Sequence, residues 1–163
     1  MPEGEGVVLA FDYGTRFMGM ALGECKSRLV RPLSSIECRT RELRWHAVAD
    51  VVQNWAPQQL LVGLSLTAEG GEQHTTRQCR NFARDLMRHT QLPVTLIDER
   101  FTSLEADRQL REQGTARHQR RLQEHAVAAA LLIEDYFNLS HEAQERLETL
   151  NPPMRHDPCS IHN

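Results

Sequence analysis

Lysine is almost absent from this sequence of 163 residues, because Lys26 is the only one among 19 basic residues and all the others are arginine. Long apolar runs are missing too, since none approaches the roughly 20 residues that a membrane-spanning helix needs. The N-terminus begins with small and acidic residues, MPEGEG, which lacks the positive region of a secretory signal. The sequence therefore predicts a cytoplasmic protein that does not contact a membrane.

Cysteine is scarce, and no two cysteines are close together in the sequence. The four cysteines form no CxxC motif, so we expect reduced thiols rather than disulfides or a zinc site. A hydrophobic content of 40% and a charged content of 25% are typical of globular domains. The length predicts a single domain over residues 1–150, followed by a mobile tail over 151–163 that contains little to pack.

Positive charge is concentrated in one part of the chain. The whole sequence has a net charge of −3, which argues against a protein that coats nucleic acid non-specifically. Residues 77–121 contain ten arginines and six acids, a local charge of +4, which leaves −7 for the rest. Four of these arginines lie at spacings that put them on one face of a predicted helix. This face is either solvated or a phosphate-binding surface, and its members are Arg77, Arg80, Arg84 and Arg88.

The periodicity of apolar residues predicts an α/β fold. The predicted strands cover residues 7–13, 18–23, 29–38, 60–66 and 94–98. The predicted helices cover residues 41–55, 75–89, 102–113, 122–137 and 140–150, with a polar loop at 114–121. Thr40 is expected to cap the first helix, whose apolar face would begin at Leu43, and Pro32 should place the third strand at an edge. The order predicts a mixed sheet with three antiparallel strands followed by parallel additions.

Two acidic positions stand at the C-terminal ends of predicted strands. Asp12 ends the run VVLAFD, and Asp98-Glu99 close the strand VTLID. Ligand sites in open α/β sheets gather at these ends, and paired carboxylates suit Mg²⁺ or Mn²⁺. Alternation allows only one of the second pair to face Asp12, and Gly14-Thr15 predict a tight turn that a phosphate or metal could approach. The alternative for Asp12 is a residue that caps its own turn.

Four segments resemble one known family. They are VVLAFDYGTRFMGMALGE, LLVGLSLTAEGGEQHTTRQCRNFA, VTLIDERFTSLEA and HAVAAALLIEDYF, in that order, and they cover roughly residues 6–138. They closely resemble the YqgF (RuvX) family of the RNase H-like superfamily, which is related to Holliday-junction resolvases and to which maturation of the 5′ end of pre-16S rRNA is ascribed. The resemblance implies an RNase H-like fold: a five-stranded mixed sheet, antiparallel for its first three strands and flanked by helices.

The resemblance also implies a site. The family's catalytic carboxylates fall on Asp12 and Glu99, which would hold Mg²⁺ or Mn²⁺ for attack on a phosphodiester bond. Where the family usually has a third aspartate, this sequence has His125, which would complete the site as a ligand or is an ordinary helix residue. Gly14, Thr15, Arg100 and the four helix arginines are then expected to contact substrate phosphates.

Other functions remain open from the sequence. The favoured one is an endonuclease acting on pre-rRNA, with the ribosomal subunit as a candidate partner and a monomer or weak dimer as its state. The alternatives are an RNA-binding ribosome-assembly factor without catalysis and a resolvase of branched DNA. An ATPase fragment of the actin/Hsp70 group fits less well, because that group needs two such domains to enclose a nucleotide.

Overall fold

The structure is a computed structural model that describes residues 6–99, 108–114 and 117–153, with only the backbone of 117–122. Its strands are β1 (Val7–Tyr13), β2 (Phe17–Glu24), β3 (Val30–Glu37), β4 (Gln59–Leu64), β5 (Val94–Asp98) and β6 (Thr149–Leu150). Its helices are α1 (Arg41–Trp55), α2 (His74–Thr90), α3 (residues 108–112), α4 (Arg117–Asn138) and α5 (His141–Glu145).

The strands form one mixed sheet in the order β3-β2-β1-β4-β5-β6. β1, β2 and β3 pair antiparallel, β4 and β5 are added parallel to β1, and β6 runs antiparallel to β5. The predicted α/β class and antiparallel start are therefore confirmed. As Pro32 indicated, β3 is an edge strand, and its register with β2 shifts next to that proline.

Helices cover both faces of the sheet and bury two separate apolar clusters. Leu9 and Phe11 of β1 pack on one face with α1 and α2, through residues such as Val48 and Phe82. The opposite face packs against α4, through its alanines and Ile133. Because side chains alternate along β1, Val8, Ala10 and Asp12 point toward α4, as the sequence predicted.

The strand count differs from the prediction of five. The sixth strand, β6, has two residues, and it pairs Thr149 with Thr95 and Leu150 with Val94 at the edge of β5. The two threonine hydroxyls lie 2.9 Å apart. A two-residue strand gives no periodic signal, which is why the sequence suggested one helix over 140–150 where α5 ends at Glu145.

Three further local predictions were wrong. α4 begins at Arg117, inside the predicted loop 114–121, because arginine and glutamine extend an alanine-rich helix readily. Leu43 is 49% exposed and does not belong to the buried face of α1, which Val48 and Val51 supply. The strand predicted over 60–66 ends at Leu64. The predicted N-cap of α1 is confirmed, since the Thr40 side chain accepts a hydrogen bond from the Leu43 amide.

The described part of the chain contains no helix that is long and apolar enough to cross a membrane. Its three cysteines, Cys25, Cys38 and Cys79, are free thiols. Cys159, most of the predicted mobile tail and the predicted capping box at 102–105 lie outside the described residues.

Candidate active site

The two strand-end acids meet at the carboxyl edge of the parallel strands. Asp12 belongs to β1, and Glu99 directly follows β5, with β4 between them. The Glu99 amide donates to the carbonyl of Leu64, which extends the pairing of β5 with β4 by one residue. The Glu99 side chain is hydrogen-bonded to Asp12. Of the pair Asp98-Glu99, it is therefore Glu99 that faces Asp12.

Gly63 on β4 provides the space for the Glu99 carboxyl. A Cβ at Gly63 would overlap Oε2 of Glu99 and would lie 3.1 Å from Cδ1 of Leu132. That carboxyl oxygen is buried. The absence of a side chain on the intervening strand is what lets Glu99 fold back toward Asp12.

His125 reaches the same site from the other side. Its Nδ1 lies 2.6 Å from Oδ2 of Asp12. Asp12 pairs with Gly19 of β2, and a Cβ at Gly19 would overlap the backbone of His125 and Ala126. This glycine lets α4 lie directly on the sheet, which places the imidazole over Asp12. The ring of Phe17 stacks on the imidazole with centroids 6.1 Å apart.

The pKa of Glu99 is raised from its ordinary 4.5 to about 9. Burial is the largest cause, followed by the charge of Asp12, the hydrogen bond to Asp12 and the charge of Asp98. At neutral pH Glu99 therefore holds a proton. The proton on Glu99 avoids the cost of a second negative charge beside Asp12 in a place with little water.

The pKa of His125 is also raised above its ordinary value of 6.5. Burial acts in the opposite direction and is the largest single influence. The hydrogen bond and charge of Asp12, together with the charge of Glu124, outweigh it. The site therefore favours a positively charged imidazole beside Asp12.

The donor chemistry of the two carboxyls fits a divalent cation. Oxygen ligands of this kind suit Mg²⁺ and Mn²⁺, and a dication would remove the cost of ionising both acids together. His125 presents Nδ1 to Asp12, so Nε2 is the nitrogen left to face a metal. Within the described residues, no three His, Cys, Asp or Glu side chains are gathered closely enough to hold a metal ion as they stand. The fit therefore rests on Asp12 and Glu99.

An arginine that sequence reasoning missed holds the turn after Asp12. Nη2 of Arg44 donates to the carbonyl oxygens of Gly14 at 2.8 Å and Thr15 at 3.2 Å. Its guanidinium lies over the Tyr13 ring, 4.4 Å from the centroid. A Cβ at Gly14 would overlap the Phe17 carbonyl oxygen, so the predicted tight turn depends on this glycine. No sequence signal distinguishes Arg44 from the other polar residues of α1.

The four arginines of α2 are not equivalent. Arg80 forms ion pairs with Glu72 at 2.5 Å and Glu148 at 2.7 Å, and its side chain is 25% exposed. Arg88 lies 3.9 Å from Asp85 and is exposed. Arg77 and Arg84 are exposed and have no ion pair to any described residue. Arg100, the other predicted phosphate contact, lies outside the described residues.

The sequence matches the RuvX family, described as Holliday junction resolvase, over residues 6–139. A protein of Nitrosomonas europaea named "Putative pre-16S rRNA nuclease" is 41% identical over 138 residues, which cover 85% of this chain and 93% of that one. Proteins with the same name from Bordetella petrii and Dechloromonas aromatica are 41% and 39% identical, with 85% and 83% of this chain covered and 98% and 93% of theirs.

The fold is shared with a solved structure of low sequence identity. Thermus thermophilus RuvC, in complex with a Holliday junction substrate, superposes with a TM-score of 0.54 at 16% identity. The match covers 88% of this chain and 99% of RuvC. A second structure of Thermus thermophilus RuvC gives a TM-score of 0.52 over the same shares. The RNase H-like fold that the motifs implied is thereby confirmed.

Proposed function

The chain belongs to the RuvX family of nucleases, and from this premise we propose that it is a metal-dependent endonuclease that matures the 5′ end of pre-16S rRNA in the cytoplasm. The observation that carries the proposal is the contact between the Asp12 and Glu99 carboxyls at the carboxyl edge of the sheet. Adjacent acids with little access to water cost stability and cluster at functional sites, and metal-assisted phosphodiester hydrolysis uses such a pair.

Asp12 and Glu99 would hold the divalent ion. The chemistry supplied by a bound Mg²⁺ or Mn²⁺ is activation of a water and stabilisation of the leaving oxygen. As a ligand Glu99 would be ionised, so it would release its proton to solvent when the ion binds. Gly63 leaves room for Glu99 beside Asp12, and the burial of Asp12 and of Oε2 of Glu99 limits the access of bulk water to them.

His125 orients Asp12. Its Nδ1 fixes one oxygen of the Asp12 carboxylate, and Phe17 restrains the ring from rotating. A cationic imidazole at this place would stabilise negative charge on the phosphate, or Nε2 would complete the metal site. In both roles His125 takes the part of the third acid that the family usually carries.

The names of the relatives and the exposed arginines of α2 support RNA as the substrate. The relatives are named for pre-16S rRNA, and this chain spans at least 93% of the length of the three described above. The exposed arginines of α2 would bind the phosphate backbone, with Arg77, Arg84 and Arg88 available and Arg80 held by two acids. The Gly14–Thr15 turn would meet the strand next to Asp12.

A resolvase of branched DNA is the second candidate. The family's description and the Holliday junction bound by RuvC favour it. To separate the two, end-labelled single-stranded RNA spanning a pre-16S 5′ end and a four-way DNA junction are incubated with the protein and Mg²⁺ or Mn²⁺.

We expect cleavage of the RNA, no cleavage of the junction and loss of activity in EDTA. Cleavage of the junction alone would favour the resolvase. Cleavage in EDTA would refute the metal requirement. Tight, salt-sensitive RNA binding without cleavage would identify an RNA-binding assembly factor. The histidine at position 125, in place of the third acid, would then explain the lack of cleavage.

A further inference from the structure

A cleft of about 450 Å³ lies between α1 and α2, beside the end of β1. Its charged lining consists of four arginines and one acid, and Gln78 and Asn81 add amide groups. The excess of positive charge is large for a protein with a net charge of −3. The charged residues of the cleft are Arg41, Arg44, Arg84, Arg88 and Asp85.

The single acid does not neutralise the cleft. Asp85 lies 3.7 Å from Arg41 and 3.9 Å from Arg88, so its charge is divided between two exposed arginines. Arg84 has no ion pair to a described residue. Nε of Arg44 is buried and has no hydrogen-bond partner among the described residues. The guanidinium groups that line the cleft favour an anionic ligand with several oxygens.

The aromatic residues of the cleft do not offer a platform for bases. Trp45 is covered on one side by His89, with centroids 3.9 Å apart, and it also stacks near Phe82. Tyr13 stacks on Phe82 with centroids 4.9 Å apart, and the Arg44 guanidinium lies 4.4 Å from the Tyr13 centroid and 6.0 Å from the Phe82 centroid. Because these rings already contact protein and four arginines line the cleft, it is better suited to a phosphate backbone than to stacked bases. Binding should therefore be independent of sequence.

The cleft is joined to the active site through two residues. Tyr13 directly follows Asp12 in β1, and Arg44 contacts the Gly14 and Thr15 carbonyls as well as the cleft. Asp12 lies on the α4 face of the sheet and the cleft on the α1/α2 face, so a strand whose reacting phosphate lies at Asp12 would pass around this turn to enter the cleft. The cavity volume of about 450 Å³ is that of a small-molecule pocket, which suits a short stretch of one strand.

We propose that the cleft between α1 and α2 is a second binding site, which takes the backbone phosphates of a single-stranded segment next to the cleavage point. The inference rests on the proposed nuclease function and names the substrate class of that site: the segment of the substrate in the cleft is single-stranded, and the cleft does not select its base sequence. Arg41 and Arg44 of α1 act together with Arg84 and Arg88 of α2.

The test measures binding and not cleavage. Fluorescein-labelled single-stranded RNA of mixed sequence is titrated with the full-length protein in EDTA, at several salt concentrations. Each phosphate contact contributes roughly 0.7 to the slope of log K against log salt for single strands. Arg84→Gln should weaken binding several-fold and reduce the slope by about 0.7. Asp85→Asn should tighten binding, because it frees Arg41 and Arg88.

The matched control is Arg146→Gln, which removes one exposed arginine that does not line the cleft. It should leave affinity and slope unchanged. The proposal is overturned if Arg84→Gln behaves as Arg146→Gln does, or if Asp85→Asn fails to tighten binding. If Arg84→Gln weakens the binding of the same RNA in duplex form by the same factor, the single-strand assignment is overturned. If the wild-type protein does not cleave RNA but Arg84→Gln and Asp85→Asn change binding as described, the nuclease proposal is contradicted and the cleft proposal stands.

Discussion

His125 and Asp12 are 113 positions apart in sequence, and their side chains lie 2.6 Å apart, Nδ1 to Oδ2. Two glycines make this contact and its counterpart possible. Gly19 lets the backbone of α4 approach β2 beside Asp12, and Gly63 leaves room for Glu99 on the other side. Asp12 therefore lies between His125 and Glu99. The close packing at the two glycines positions these partners, and their charges then set the properties of the site.

Replacement of His125 tests whether it belongs to the site. His125→Asp puts a third acid beside Asp12 and the protonated Glu99, so it should lower the melting temperature in EDTA. If the position is a ligand, Mg²⁺ should restore stability and support faster cleavage than in wild type. His46→Asp, at an exposed position of α1, is the control for the added charge. Unchanged stability and Mg²⁺-supported activity would identify an ordinary helix residue.

Gly63→Ala should damage catalysis more than folding. The new Cβ overlaps Oε2 of Glu99, and a displacement of a catalytic group by about 1 Å costs roughly 100-fold in rate. Overpacking of this kind lowers the unfolding free energy by about 1–3 kcal/mol. Single-turnover cleavage and chemical denaturation measure the two effects. Gly71→Ala, whose Cβ would lie no closer than 3.2 Å to Thr67, should match wild type in both.

The metal-free protein should lose stability as pH rises. Glu99 binds its proton with a pKa of about 9 when folded and near 4.5 when unfolded, so the folded state holds more protons between these values. Stability therefore falls from pH 4.5 to 9. The raised pKa of His125 acts in the same direction above 6.5. Melting temperatures in EDTA should fall over this range and fall less steeply for Glu99→Gln. Parallel curves for the two proteins would contradict the raised pKa of Glu99.

Arg80→Gln separates a structural arginine from substrate contacts. Its pairs with Glu72 and Glu148 join α2 to the loop before it and to the segment leading into β6. Their loss should lower the unfolding free energy by about 1 kcal/mol and leave the salt slope of RNA binding unchanged. Arg77→Gln, which breaks no ion pair with a described residue, should not alter stability. A slope lowered by about 0.7 for Arg80→Gln would instead make it a phosphate contact.

Much of this arrangement was accessible from sequence because it depends on local patterns. The alternation in β1 put Asp12 on one face with Val8 and Ala10, and the strand end VTLID located the second acid; the structure shows that α4 covers that face. The contribution of Arg44 was not accessible, since nothing in α1 indicates that a guanidinium folds back onto the Gly14 carbonyl. Nor could spacing show that Arg80 is tied by Glu148, a residue 68 positions away. Short edge pairing, as in β6, depends on tertiary contacts and gives no periodic signal.

The most direct test of the account compares cleavage and binding for wild type, Asp12→Asn and Glu99→Gln on labelled single-stranded RNA spanning a pre-16S 5′ end, with Mn²⁺ or Mg²⁺. Arg146→Gln serves as a control. The account predicts that wild type and the control cleave, and that neither carboxyl variant does, while all four bind the RNA within a few-fold of one another. Cleavage by Asp12→Asn at the rate of wild type would show that the reaction takes place elsewhere.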